Sequence, residues 1–151
     1  MPEFEEIIPV RIKFSKVGDL MYISHLDLAR TMQRILLRSG IDIWYSEGFN
    51  PQPKMVFALP LPTGVESECE LMDIKLNSFM SNKEIMNRIN ENFPKDMRVL
   101  DVYRPDVKFK NIQYARYNIS IFDILRLILR SVDLGFVMER VNLNSGCFVN
   151  H

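Results

Sequence analysis

The chain of 151 residues is 47% hydrophobic and 25% charged, the composition of an ordinary globular protein of one domain or slightly more. Lys plus Arg and Asp plus Glu number 19 each, so the global basic excess of a dedicated nucleic-acid binder is absent and any such activity must come from local patches. Cys69 and Cys147 have neither the close spacing of a metal knuckle nor the number of a disulfide scaffold, which makes a reducing, cytoplasmic setting the expectation.

The start, M-P-E-F-E-E, lacks the charged n-region and apolar core of a signal peptide. Residues 9 to 14, P-V-R-I-K-F, alternate apolar and basic and predict a strand with Val10, Ile12 and Phe14 inward and Arg11 and Lys13 outward. After a turn at Lys16 to Asp19, Ser24 is the N-cap of a helix from His25 to about Ser39, with Leu28, Ala29, Met32, Ile35 and Leu36 as its buried stripe and Gly40 as its stop. Arg30, Arg34 and Arg38 fall at i, i+4 and i+8 and form one basic edge. A solvated face with cations towards the helix C-terminus is sufficient to explain that edge; a ridge contacting phosphates is the sharper reading.

The run Ile41 to Tyr45 leads into S-E-G-F-N-P-Q-P-K, Ser46 to Lys54, which can continue neither helix nor strand because Pro51 and Pro53 lack amide donors while Gly48 and Asn50 tolerate positive φ. Composition alone favours a rigid surface turn with Phe49 tucked into the core. The same loop carries an aromatic, an amide and a cation in Phe49, Asn50 and Lys54, a combination suited to stacking on a base and contacting a phosphate. Met55 to Leu59 predicts a short strand and P-L-P-T-G a second turn, after which Val65 to Glu70 reads as acidic and exposed. Leu71 to Leu76 alternates as a strand; Ser81 or Asn82 caps a helix carrying Ile85, Met86, Ile89 and Phe93 that ends at Pro94; Val99 to Tyr103 is the closing strand.

This order, β-α-β-(loop, β)-β-α-β, describes an α+β, ferredoxin-like βαββαβ sandwich over residues 8–104 with an inserted loop and short strand, its sheet covered by helices on one face and free on the other. Residues 105–113 read as a basic linker and 114–151 as a partial second α+β unit: a weak strand from Tyr114, a helix from Asp123 to Val132 and a strand from Phe136. Asp123, Arg126, Arg130 and Asp133 interrupt the most apolar stretch, which argues against a membrane span.

His25 is the one internal histidine and could serve as a general acid or base on a phosphodiester; beside a capping Ser24 it is more often a local hydrogen-bonder. Ser24-His25-x-Asp27 is a capping signature rather than a hydrolytic triad. Glu66, Glu68 and Glu70 at i, i+2 spacing read as solvated surface, and no phosphate-cradling Gly motif or cysteine cluster is present. No metal or cofactor is expected.

The segments K-V-G-D-L-M-Y-I-S-H-L-D-L-A-R (Lys16 to Arg30), Y-S-E-G-F-N-P-Q-P-K (Tyr45 to Lys54) and A-L-P-L-P-T-G-V-E-S-E-C-E (Ala58 to Glu70) resemble, in order, the radical SAM-linked domain of unknown function, found in bacteria alone or following radical SAM, cobalamin (B12)-binding-type proteins. The resemblance implies an accessory module, associated with RNA or a translation-related modification system, and no known reaction. The element order is also similar to that of the ferredoxin-like CRISPR repeat endonucleases, whose late Gly-rich loop has no counterpart here. The leading expectation is an RNA-binding or substrate-presenting domain, for tRNA or rRNA, without catalysis of its own: Lys16, Arg30, Arg34, Arg38 and Lys54 on phosphates, His25, Phe49 and Asn50 reading or stacking a base. The alternatives are a protein-interaction module docking on a radical SAM enzyme through the same loop and a metal-independent endoribonuclease using His25.

Overall fold

A computed structural model of the chain describes residues 7–112 and the strands Tyr114–Arg116 and Cys147–Val149. Its elements are β1 (Ile8–Lys16), α1 (His25–Arg38), β2 (Met55–Phe57), β3 (Ser67–Leu76), α2 (Asn82–Asn90), β4 (Met97–Tyr103), β5 (Tyr114–Arg116) and β6 (Cys147–Val149). β1 to β4 form an antiparallel sheet in the order β2-β3-β1-β4, with α1 and α2 as the two crossovers. This is the ferredoxin-like arrangement that the alternation of apolar residues implies.

The period-two pattern of β1 puts Val10, Ile12 and Phe14 on the helix face, opposite Ile74, Met72 and Glu70 of β3. These apolar residues join Leu28, Met32, Ile35 and Leu36 of α1 and Ile85 and Ile89 of α2 in one buried cluster. Each fully buried aliphatic side chain contributes about 1.5–3 kcal/mol relative to exposure, so this layer is the main source of stability. The strand pairing slips by one residue between Lys13 and Phe14 against β4, which is why the inward residues of β4 run Met97, Val99 and then Val102.

Four expectations need correction. The acidic stretch before Leu71 is strand: β3 begins at Ser67, and Ser67, Cys69 and Glu70 are buried; Glu70 continues the alternation of Met72, Ile74 and Leu76 backwards, whereas Ser67 lies beyond the register shift between Phe14 and Lys16, opposite Lys16. Helix α2 stops at Asn90, so Phe93 lies in the following turn, where its ring meets Phe14 edge-to-face at 6.3 Å. The second face of the sheet is not free. Arg11, expected outward in solvent, is 4% exposed on that face: it donates to both oxygens of Asp73 at 2.6 and 2.8 Å and to the Val107 carbonyl at 2.8 Å, with its guanidinium 4.1 Å from the centre of the Phe109 ring. The stretch after β4 therefore crosses the sheet and is fastened to it by a charge-assisted fork. Lys16, expected on the surface, is the fourth.

β5 and β6 pair antiparallel, and the backbone of β6 runs close to that of β3. The strand expected from Tyr114 begins there; the helix from Asp123 and the strand from Phe136 lie outside the described residues.

Candidate functional site

Helix α1 starts where the sequence places its cap. Ser24 is extended (φ −69°, ψ 158°), its Oγ accepts from the Asp27 amide at 3.1 Å, and its hydroxyl donates to the Asp27 carboxylate at 2.7 Å. Ser24 and Asp27 are thus bonded to each other and not to His25. With Leu28, Met32, Ile35 and Leu36 buried, Arg30, Arg34 and Arg38 are left on the outer side, all exposed. Arg30 stands 3.6 Å from Asp27, an exposed pair that contributes little. Arg34 and Arg38 have no carboxylate partner among the described residues.

The loop after α1 is a projecting hairpin inserted in the edge strand. Ile43 pairs with Leu76 and Met55 with Ile74, so two consecutive stretches of the β3 edge are filled from either side of the excursion. Its stem is closed by Lys54 N–H donating to the Trp44 carbonyl at 3.1 Å, Ser46 N–H to the Gln52 carbonyl at 2.9 Å, and a Tyr45–Pro53 bridge. Pro53 is buried in this stem while Gly48, at φ +127°, makes the reversal at the tip that a side chain would strain. Gln33 Nε2 of α1 donates to Gln52 Oε1 at 2.5 Å and Gln52 Nε2 donates to Asn50 Oδ1 at 3.1 Å, which ties the tip to the helix one residue from Arg34.

Phe49 is fully exposed at this tip. A core role for its ring is thereby overturned. Asn50 and Lys54 are exposed as well. The hairpin and the α1 edge hence present Arg30, Arg34, Arg38, Phe49, Asn50 and Lys54 to solvent on elements linked through Gln33 and Gln52.

The remaining candidates separate from this group. Lys16 is 1% exposed, in the helix-side layer at the end of β1 near Glu70, itself 3% exposed. Burial pulls the Lys16 ammonium below its ordinary range, against the opposing charge of Glu70. Burial likewise pushes the Glu70 carboxyl up, against a hydrogen bond from Ser67 and the charge of Lys16. Lys16 therefore does not meet a phosphate at the surface. His25, half-buried, stands edge-on to Phe57 of β2 with ring centres 5.0 Å apart and planes at 84°, and has no hydrogen-bonding partner among the described residues. No general acid or base pair is assembled around it there.

A feature that sequence reasoning missed adjoins the arginine edge. Thr31, Arg34, Ile35 and Arg38 of α1 and Asn92, Phe93 and Pro94 of the turn after α2 line a cleft of about 310 Å³. By period alone Phe93 and Pro94 read as helix stripe and helix stop; the signal available was the Pro itself, which implies an irregular turn before it. Among the described residues no group of three or more His, Cys, Asp or Glu could hold a metal ion, and no helix is long and apolar enough to cross a membrane.

The fold is that of a ferredoxin-like α+β domain, and one helix edge and one hairpin expose six of the candidate residues, Arg30, Arg34, Arg38, Phe49, Asn50 and Lys54. The sequence profile described as "Uncharacterized protein conserved in bacteria (DUF2344)" matches residues 10–141, most of the chain, and the chain belongs to that family. No curated protein matches it.

Proposed function

We propose that this chain is an accessory RNA-binding module that presents tRNA or rRNA to a radical SAM modification enzyme and carries no reaction of its own. The observation that carries the reading is the fully exposed Phe49, held by the Gln33–Gln52 bond beside a helix edge whose Arg34 and Arg38 are unpaired among the described residues. An aromatic ring in water gains nothing from the folded state, whereas a base stacked on it contributes about 1–3 kcal/mol. Exposed arginines without carboxylates suit phosphates, which they can bind through two parallel hydrogen bonds. The link to a radical SAM enzyme rests on the sequence resemblance.

The rival reading, docking on a protein through the same loop, draws on the exposed Phe49 and on Leu26 and Leu37 of α1 and Val56 of β2, which are 59%, 57% and 48% exposed. Salt separates the two. Binding to total tRNA and rRNA is measured at two salt concentrations beside Arg34→Ala/Arg38→Ala; for every phosphate that an arginine no longer neutralises, the slope of log affinity against log salt falls by about 0.7–0.9. Affinity that is insensitive to salt, or no binding at low salt, refutes the RNA reading and leaves the protein interface; salt-sensitive affinity unchanged in the variant removes the arginine edge from the site.

A further inference from the structure

We infer that the cleft between α1 and the turn after α2 is a subsite for one unpaired nucleotide of a single-stranded RNA, seating its base between phosphates held by Arg34 and Arg38. The inference rests on the RNA reading and narrows it to a substrate class.

The lining has the parts such a subsite needs. Arg34 and Arg38 are one turn apart on α1, about 5–6 Å between their Cβ atoms, comparable with the step between successive phosphates of a strand. Neither has an acidic partner among the described residues, so phosphate does not have to displace one. Ile35, 3% exposed, and the half-buried Phe93 and Pro94 make an apolar floor. The edge-to-face contact of Phe93 with Phe14, at 69° between planes, fixes the ring from below, so the floor is formed before a ligand arrives. The polar rim is Thr31 and Asn92. Asn92 donates its Nδ2 to the Arg88 carbonyl at 2.9 Å, which orients the amide and leaves its Oδ1 to accept from a base.

A volume of about 310 Å³ holds one nucleotide, at the lower end of the sizes of ligand sites. A base paired in an A-form duplex is stacked and cannot enter; a single strand can turn one base out against an aromatic ring. A simple anion would use the arginines and leave the Phe93–Pro94 floor empty. An acidic peptide would do the same.

The test uses the full chain, labelled with ¹⁵N and titrated with adenosine 3′,5′-bisphosphate, a base with a phosphate on either side, and in parallel with inorganic phosphate. The expected result is saturable shifts at the amides of Thr31, Ile35, Asn92 and Phe93 with the bisphosphate only, weakened about tenfold in Arg34→Ala or Arg38→Ala. A second arm compares one oligoribonucleotide free and annealed to its complement by fluorescence anisotropy. Preference for the free strand by about tenfold or more is expected, reduced in Thr31→Trp, which fills the cleft and keeps both arginines. Salt-sensitive, arginine-dependent binding of strand and duplex alike, with Asn92 and Phe93 unmoved by the bisphosphate, overturns the subsite and leaves the RNA reading standing. If no RNA binds, both readings fall, whatever the bisphosphate does.

Discussion

The fork between Arg11 and Asp73 is the best place to perturb this fold, because its partners come from β1, β3 and the stretch after β4 at once. Asp73→Asn keeps the side-chain shape and removes the charge: the amide oxygen can still accept one bond of the guanidinium, while the amide nitrogen is turned against the other N–H. The pair as it stands is made at 2.6 and 2.8 Å, with the Arg11 side chain 5% and the Asp73 side chain 24% exposed. Stranding one partner of a fully buried pair costs about 3–5 kcal/mol, and the partial exposure of Asp73 reduces this to roughly 2–3 kcal/mol. That is a large share of the roughly 5–15 kcal/mol that holds a typical domain, and amounts to a fall in midpoint of roughly 5–15 °C.

Arg11→Met/Asp73→Leu removes both charges, so no buried ion is left behind, and this double variant is expected to be more stable than Asp73→Asn although it carries one more substitution. Urea unfolding of wild type and both variants measures these differences. Trypsin supplies an independent reading. The exposed Lys108 and Lys110 flank Phe109, and cleavage there is expected to accelerate in Asp73→Asn, because the Val107 carbonyl and the Phe109 ring are held by the same guanidinium. A urea midpoint for Asp73→Asn equal to wild type, with trypsin cleavage unchanged, would refute the clasp.

Three further outcomes are expected. Phe49→Ala leaves the urea midpoint where it is, since the ring is fully exposed, and lowers RNA affinity by about tenfold as stacking is removed; a drop in midpoint would mean the ring is packed after all. Ser24→Ala removes the oxygen that accepts from the Asp27 amide and is expected to cost about 1 kcal/mol in urea unfolding, an unchanged midpoint counting against the cap. Because burial raises the Glu70 carboxyl above its ordinary 4.5, the folded chain holds that proton more tightly than the unfolded chain. Unfolding free energy therefore declines as pH rises from 4.5 through the folded-state pKa, and this decline is missing in Glu70→Gln; parallel stability profiles for the two proteins would show that Glu70 contributes none of it.

Much of the fold was legible in the residue order. Val10, Ile12 and Phe14 on one side of β1, the stripe of α1, the Ser24 cap and the alternation of Met72, Ile74 and Leu76 are all consequences of local period and local hydrogen bonding, which neighbours in sequence specify by themselves. The arginine edge followed from the same arithmetic, since whatever opposes a buried stripe on a helix must face away from it.

Tertiary structure decided what the period leaves open. A strand pattern assigns Arg11 and Lys13 to the second face without saying what covers that face; the return of residues 104 to 112 made Arg11 a buried clasp. Lys16 and Glu70 are charged, so composition put them in water, and only the pairing of β1 with β3 brought them together inside the helix-side layer. Phe49 went the other way: hydrophobicity argued for the core, and the Trp44–Lys54 stem carried it into solvent. The cleft joins α1 to residues more than fifty positions further along, Asn92 to Pro94, a juxtaposition that exists only once both crossovers lie on the same side of the sheet. Period and propensity act over a few residues, whereas burial depends on which distant segment arrives to exclude the water.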